Sequence, residues 1–92
     1  MPVHRRRSAR LNPDEAFAHA LRRARKQCEM SQEALGFESG YHRTYISMLE
    51  RGQMNPSLRT ILSIAAALHI PAAQLVGDVE RLLGGPWRRE SE

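Results

Sequence analysis

Five side chains between Arg43 and Arg51 have the types and spacing to read a nucleic-acid duplex. On a helix at 100° per residue, Arg43, Thr44, Ser47, Met48 and Arg51 fall within roughly 140° of one another, and Tyr45, Ile46, Leu49 and Glu50 take the opposite side. The chemistry of the first set is recognition, not bond making. An arginine can give two hydrogen bonds to guanine in the major groove, and a methionine can touch a thymine methyl group. Thr44 and Ser47 are small enough to let a helix sink into the groove and can bond a base or a phosphate. Each has a plainer alternative: Arg43 as a phosphate contact or a solvated cation, Met48 as core, Thr44 and Ser47 as side chains that merely avoid a clash.

Other chemistries find little to work with. His4, His19, His42 and His69 have no spacing that suggests a metal site or a catalytic pair, and Cys28 is the single cysteine. That excludes an internal disulfide and a cysteine-rich zinc site. No nucleophile–base pair and no phosphate loop is present, so no catalytic residue, metal or cofactor is expected and the chain is not read as an enzyme. No apolar run nears the 18 or so residues of a membrane span. Arg5, Arg6 and Arg7 lack the apolar stretch of a secretory signal. A cytoplasmic protein is the expectation.

The 92 residues carry a formal net charge of +4, unevenly spread. Residues 1–30 hold eight basic side chains against three acidic ones, and the rest hold six against seven. A positive first third suits a polyanionic partner, though a charge run is often only a solvated face.

The elements that must position the reading face are legible as helices. Few aromatics and many Ala, Leu and Ile residues favour an all-α fold. Residues 1–11 read as a flexible basic arm, 12–83 as the folded domain and 84–92 as a mobile tail. Asn12 caps helix 1, Pro13 suits its first position and Glu15 completes a capping box. Phe17, Leu21, Ala24 and Cys28 form its narrow apolar face. Ser31 caps helix 2, which carries Ala34 and Leu35, and Ser39-Gly40-Tyr41 is the turn, with Gly40 free to take a positive φ. Helix 3 spans about Arg43 to Arg51, with His42 as a surface cap, and Gly52 ends it. Two short helices joined by a glycine turn, the second polar on one face, have the layout of a helix-turn-helix.

Ser57 caps helix 4, whose buried stripe is expected at Leu58, Ile61, Leu62, Ala65 and Leu68. Pro71 opens a fifth helix with Leu75 and Val76. The segment from Val79 to Leu83 either continues it or forms a separate turn after Gly77. Gly84-Gly85-Pro86 stops any helix. Phe37 is expected in the core, with a partner contact as the alternative. Tyr45 is expected to pack inward with its hydroxyl at a phosphate.

Taken in order, S-Q-E-x-L, S-G, R-T-Y-I-S-x-L-E-R-G, N-P-S-L, I-A-A-A-L and Q-L resemble the Cro/cI-type (XRE-type) helix-turn-helix DNA-binding family from about Phe17 to Val76. Phe37 to Ser47 most resembles the branch that includes restriction–modification controller proteins, and small phage-type repressors share it. The resemblance implies a compact five-helix, lambda-repressor-like domain, usually dimeric on double-stranded DNA. By position, Gln32 would meet the DNA backbone or a base edge, where a helix N-terminus also offers N–H groups to phosphate. Arg43, Thr44, Ser47 and Met48 match base-facing positions of the recognition helix. Arg51 and Asn55 would hold the backbone and set register.

Arg25 and Glu50 match a buried ion pair between helices 1 and 3. The sequence departs from the family at Gly36, where alanine is usual; this costs about 1 kcal/mol of helix preference and allows a closer approach by helix 3. It departs again at Glu29, where glycine or asparagine commonly ends helix 1. Arg5, Arg6, Arg7 and Arg10 could enter a minor groove, or act only as a diffuse charge.

Two functions follow. One is a sequence-specific transcriptional regulator, repressor or controller, on a two-fold symmetric operator as a homodimer, with RNA polymerase as a further partner if it activates. The other is an antitoxin-type protein that binds a toxin and autoregulates. Dimerisation is expected on helices 4 and 5 with Leu82, Leu83 and Trp87.

Overall fold

Four of the five helices begin where a side chain satisfies a free backbone N–H group. In the computed structural model, which describes residues 11–89, Asn12 Oδ1 accepts from the Glu15 N–H at 2.8 Å and the Asn12 N–H donates to Glu15 Oε1 at 3.0 Å. This capping box opens α1 (Pro13–Gln27) with Pro13 in its first turn. Ser31 Oγ opens α2 (Gln32–Ser39), accepting from Ala34 N–H at 2.9 Å. His42 Nδ1 opens α3 (Arg43–Glu50), accepting from Thr44 N–H at 3.0 Å. Ser57 Oγ opens α4 (Leu58–Ala67), accepting from Thr60 N–H at 3.0 Å. Pro71 precedes α5 (Ala72–Leu82) without a side-chain cap. The expected caps are all in place, and α3 stops one residue early, with Arg51 as its C-cap.

The fold is all-α among the described residues, five helices and no strand. α1 packs against α3 and α5, α2 against α3 and α4, and α4 against α5. Leu21, Leu35, Ile46, Leu49, Ile64 and Leu75 are fully buried at the centre, so every helix contributes to one core. Burial of such side chains is worth about 1.5–3 kcal/mol each relative to exposure. No single helix among the described residues is long and apolar enough to cross a membrane.

α5 continues through Gly77 to Leu82, which settles the open alternative in favour of one helix. The stripe expected on α4 needs correction. Leu58 is 69% exposed and Leu62 52% exposed, while Thr60, Ile64, Ala65, Ala67 and Leu68 are buried and Ile61 is half-buried. The buried face is rotated because Thr60 turns inward: its hydroxyl bonds Tyr41 Oη and Ser57 Oγ, each at 3.0 Å. A buried hydroxyl so satisfied costs little, and a leucine-counting pattern does not see it. Phe37 is likewise not core but 84% exposed. α1 buries more than the expected narrow face, with Ala16, Ala18 and Ala20 added to Phe17 and Leu21. The basic-arm residues Arg5, Arg6, Arg7 and Arg10 lie outside the described residues.

Candidate nucleic-acid interface

The turn between α2 and α3 is built around one backbone oxygen. The Gly36 carbonyl accepts from Gly40 N–H at 2.9 Å and from Tyr41 N–H at 2.8 Å. Gly40 has φ 86°, the left-handed region that glycine enters without steric penalty. A Cβ on Gly36 would lie 2.5 Å from the Tyr41 carbonyl oxygen and 3.2 Å from Arg43 N. The departure from alanine thus permits the close approach of the α3 entry to α2, as expected from the sequence. Ser39 Oγ adds a bond to the Leu35 carbonyl at 2.6 Å.

Behind α3, Ile46 and Leu49 enter the core and Glu50 meets Arg25. Arg25 Nε donates to Glu50 Oε2 at 2.6 Å, Arg25 Nη2 to Glu50 Oε1 at 2.9 Å, and Arg25 Nη1 to the Met30 carbonyl at 2.7 Å. The pair implied by the resemblance is therefore formed, bidentate, and buried: Arg25 is 8% and Glu50 7% exposed. The Glu50 hydrogen bonds raise the Arg25 pKa above its ordinary value, desolvation opposes this, and the Glu50 charge reinforces it. Arg25 stays charged, and the pair fixes α3 to α1. Removing one partner of such a pair costs roughly 3–5 kcal/mol, because the other charge is left buried.

The opposite face of α3 is open. Arg43 and Thr44 are exposed, and Ser47 and Met48 are half-buried. Arg51 is exposed, and its Nη1 donates to Ser47 Oγ at 2.6 Å, so these two side chains present a joined polar surface. Met48 is partly covered, which places it at the edge of the open face. Asn55 is exposed in the loop before α4. Gln32, at the start of α2, is half-buried and donates through Nε2 to Glu50 Oε1 at 3.0 Å. It thus joins the ion pair that anchors α3.

Sequence reasoning missed two side chains that hold this arrangement. Tyr41 ties the turn to α4 through Thr60 and lies with its ring centroid 5.1 Å from that of Tyr45. Tyr45 is half-buried in this pair, consistent with the inward side of the wheel. Gln53 accepts from Arg51 Nη2 at 3.4 Å, a long hydrogen bond, and steadies the arginine. Tyr41 had a signal in principle, an aromatic four residues before Tyr45, but its partner Thr60 gave none.

The helix-turn-helix family model matches residues 21–75, which contain α2, α3 and α4 entire. The control protein C.BamHI of Bacillus amyloliquefaciens is 44% identical over 61 residues, covering 65% of this chain and 75% of that protein. The crystal structure of the restriction-modification controller protein C.AhdI from Aeromonas hydrophila superposes with a TM-score of 0.66 at 44% identity, covering 67% of this chain and 94% of that one. The C.Esp1396I controller, solved as a tetramer in complex with its natural 35 base-pair operator, has a TM-score of 0.73 at 22% identity over 79% of this chain and 96% of that one, a likeness of fold. With the motif, its supporting core and more than half of the chain matched, this protein belongs to the XRE-type helix-turn-helix family of DNA-binding transcription regulators.

Proposed function

We propose that this chain is a transcriptional regulator of the restriction–modification controller type, which binds a two-fold symmetric operator as a homodimer and reads it with α3. The observation that carries this reading is the two-sided character of α3: Ile46, Leu49 and Glu50 are locked behind it while Arg43, Thr44, Ser47 and Arg51 stand on the open outer side. A rigid helix with an open, small-residue, arginine-led face suits a major groove. Similarity to C.BamHI and C.AhdI supports the controller type. Arg51 and Asn55 hold the phosphate backbone and set register, and Gln32, held at the start of α2 by Glu50, offers its remaining amide atoms to the backbone or a base edge. The role is non-catalytic and is exercised on cytoplasmic DNA, by default as repression through blocked access of RNA polymerase.

Two copies would place their α3 helices in successive major grooves, about 34 Å apart. Leu58 and Leu62, one turn apart on α4, together with Val76 on α5, are exposed apolar side chains suited to the interface between copies. The test is selection of bound sites from a random duplex pool by purified protein at near-physiological salt. An enriched two-fold symmetric motif is expected. Salt-sensitive binding to any duplex, with no enrichment, would favour the antitoxin-type alternative instead.

A further inference from the structure

The outer face of α1 carries a row of basic side chains that the reading of bases by α3 does not use. His19, Arg22, Arg23 and Lys26 stand at i, i+3, i+4 and i+7, one face of a helix, and all four are solvent-accessible along it. They line a shallow cleft of about 430 Å³ together with Leu11 and Leu82, and among the described residues no carboxylate lines it. Among the described residues, none of the four has an ion-pair partner; the ion pairs there are Arg25–Glu50 and Arg81–Asp78.

The row does not stand apart from the motif. His19 and Arg22 also line a second depression, whose other walls include Glu15, Glu50, Arg51 and Gly52. Its two carboxylates are already engaged, Glu50 with Arg25 and Glu15 in the capping box. Arg22 of α1 and Arg51 at the end of α3 therefore border one hollow, and the basic surface runs from the recognition helix round onto α1. Basic side chains gathered along about two helical turns repel one another modestly, and an anion lying along the row relieves that repulsion. A duplex already seated against α3 carries one phosphate per roughly 1.7 Å of axis past that edge.

We propose that the α1 row of His19, Arg22, Arg23 and Lys26 binds the phosphate backbone flanking the base pairs read by α3, extending each half-site beyond its base contacts. The inference rests on the regulator reading above. The phosphate contacts add affinity and salt dependence without sequence information, since phosphates are alike at every base pair.

The experiment compares wild type, Arg22→Gln/Arg23→Gln and a charge-matched control, Arg88→Gln/Arg89→Gln, on the selected operator. The substituted residues are exposed in both variants, so the fold is kept. Affinity is measured across a salt series, with hydroxyl-radical protection of the sugar–phosphate backbone alongside. The slope of log K against log salt is expected to become shallower by about 0.9 for each phosphate no longer neutralised. Protection should disappear from the outer positions of each half-site with the selected motif unchanged, and the control should keep both slope and footprint. An unchanged slope and footprint in the α1 variant would overturn the inference, as would an equal loss in the control, which would make the effect one of net charge. If wild type shows no preference for any sequence, the regulator reading fails; if wild type is specific and the α1 variant matches it, only this inference does.

Discussion

At the scale of single residues, Arg43 and Glu50 lie on the two sides of α3, one on the open face proposed to read DNA and the other on the buried face that holds the helix. Arg43 is exposed at the first turn of the helix, so its truncation alters the reading face without disturbing the fold. Arg43→Ala is expected to weaken binding to the preferred site by about 1–3 kcal/mol and to relax preference at one base pair. A uniform loss on every sequence would make it a phosphate contact. Glu50 is buried against Arg25, and Glu50→Ala should lower stability by roughly 3–5 kcal/mol, read as a fall in the thermal midpoint, with base preference in the folded fraction unchanged. An unchanged midpoint would contradict the structural role given to the pair. The charged partners were legible from the resemblance, and the wheel put Glu50 on the inward edge by itself. The link from Gln32 to Glu50 was not legible, because a glutamine at a helix start is equally suited to DNA, solvent or a neighbouring carboxylate.

At the scale of elements, the α2–α3 turn and the end of α1 make opposite use of backbone conformation. Gly36→Ala gains about 1 kcal/mol of helix preference but sets a methyl 2.5 Å from a backbone oxygen. Overpacking of this kind costs about 1–3 kcal/mol. The expected outcome is a lower thermal midpoint, and a higher one would show that the turn yields without strain. Glu29 sits at φ 59°, a left-handed conformation that a side chain adopts at a cost, and the Met30 N–H bonds the Arg25 carbonyl at 3.2 Å across it. Glu29→Gly should therefore raise stability by up to about 1 kcal/mol, measured by denaturant unfolding, and a loss would mean that the glycine's extra freedom in the unfolded chain dominates. Both positions were marked in the sequence as departures from the family pattern. Helix starts were legible too, since Asn12, Ser31 and Ser57 are strong caps. The faces of α4 were not, because Thr60 trades places with Leu58 and Leu62 through a hydroxyl network that no apolar pattern encodes.

At the scale of the whole molecule, one small core supports two surfaces with different duties. One is polar and basic, running from α3 onto α1; the other holds the exposed apolar side chains of α4 and α5. Exposed leucines one turn apart have a use if a second copy covers them. Leu62→Glu/Val76→Glu is expected to leave helix content intact and to hold the protein monomeric, by sedimentation, at concentrations where the proposed wild-type dimer forms. A dimer that survives both charges would place the interface elsewhere. The open polar side of α3 was visible in the sequence because its residues lie on consecutive turns of a single helix. The exposed α4 surface was hidden because apolar spacing alone does not distinguish a leucine that meets its own core from one that meets another chain.

The most direct test of the central claim, that the outer face of α3 reads base edges, is parallel selection from a random duplex pool with wild type and Arg43→Ala. A symmetric motif from wild type, with one position in each half-site losing its preference in the variant, is the expected result. The same motif from both proteins at lower overall affinity would contradict it and move the reading of sequence to other residues.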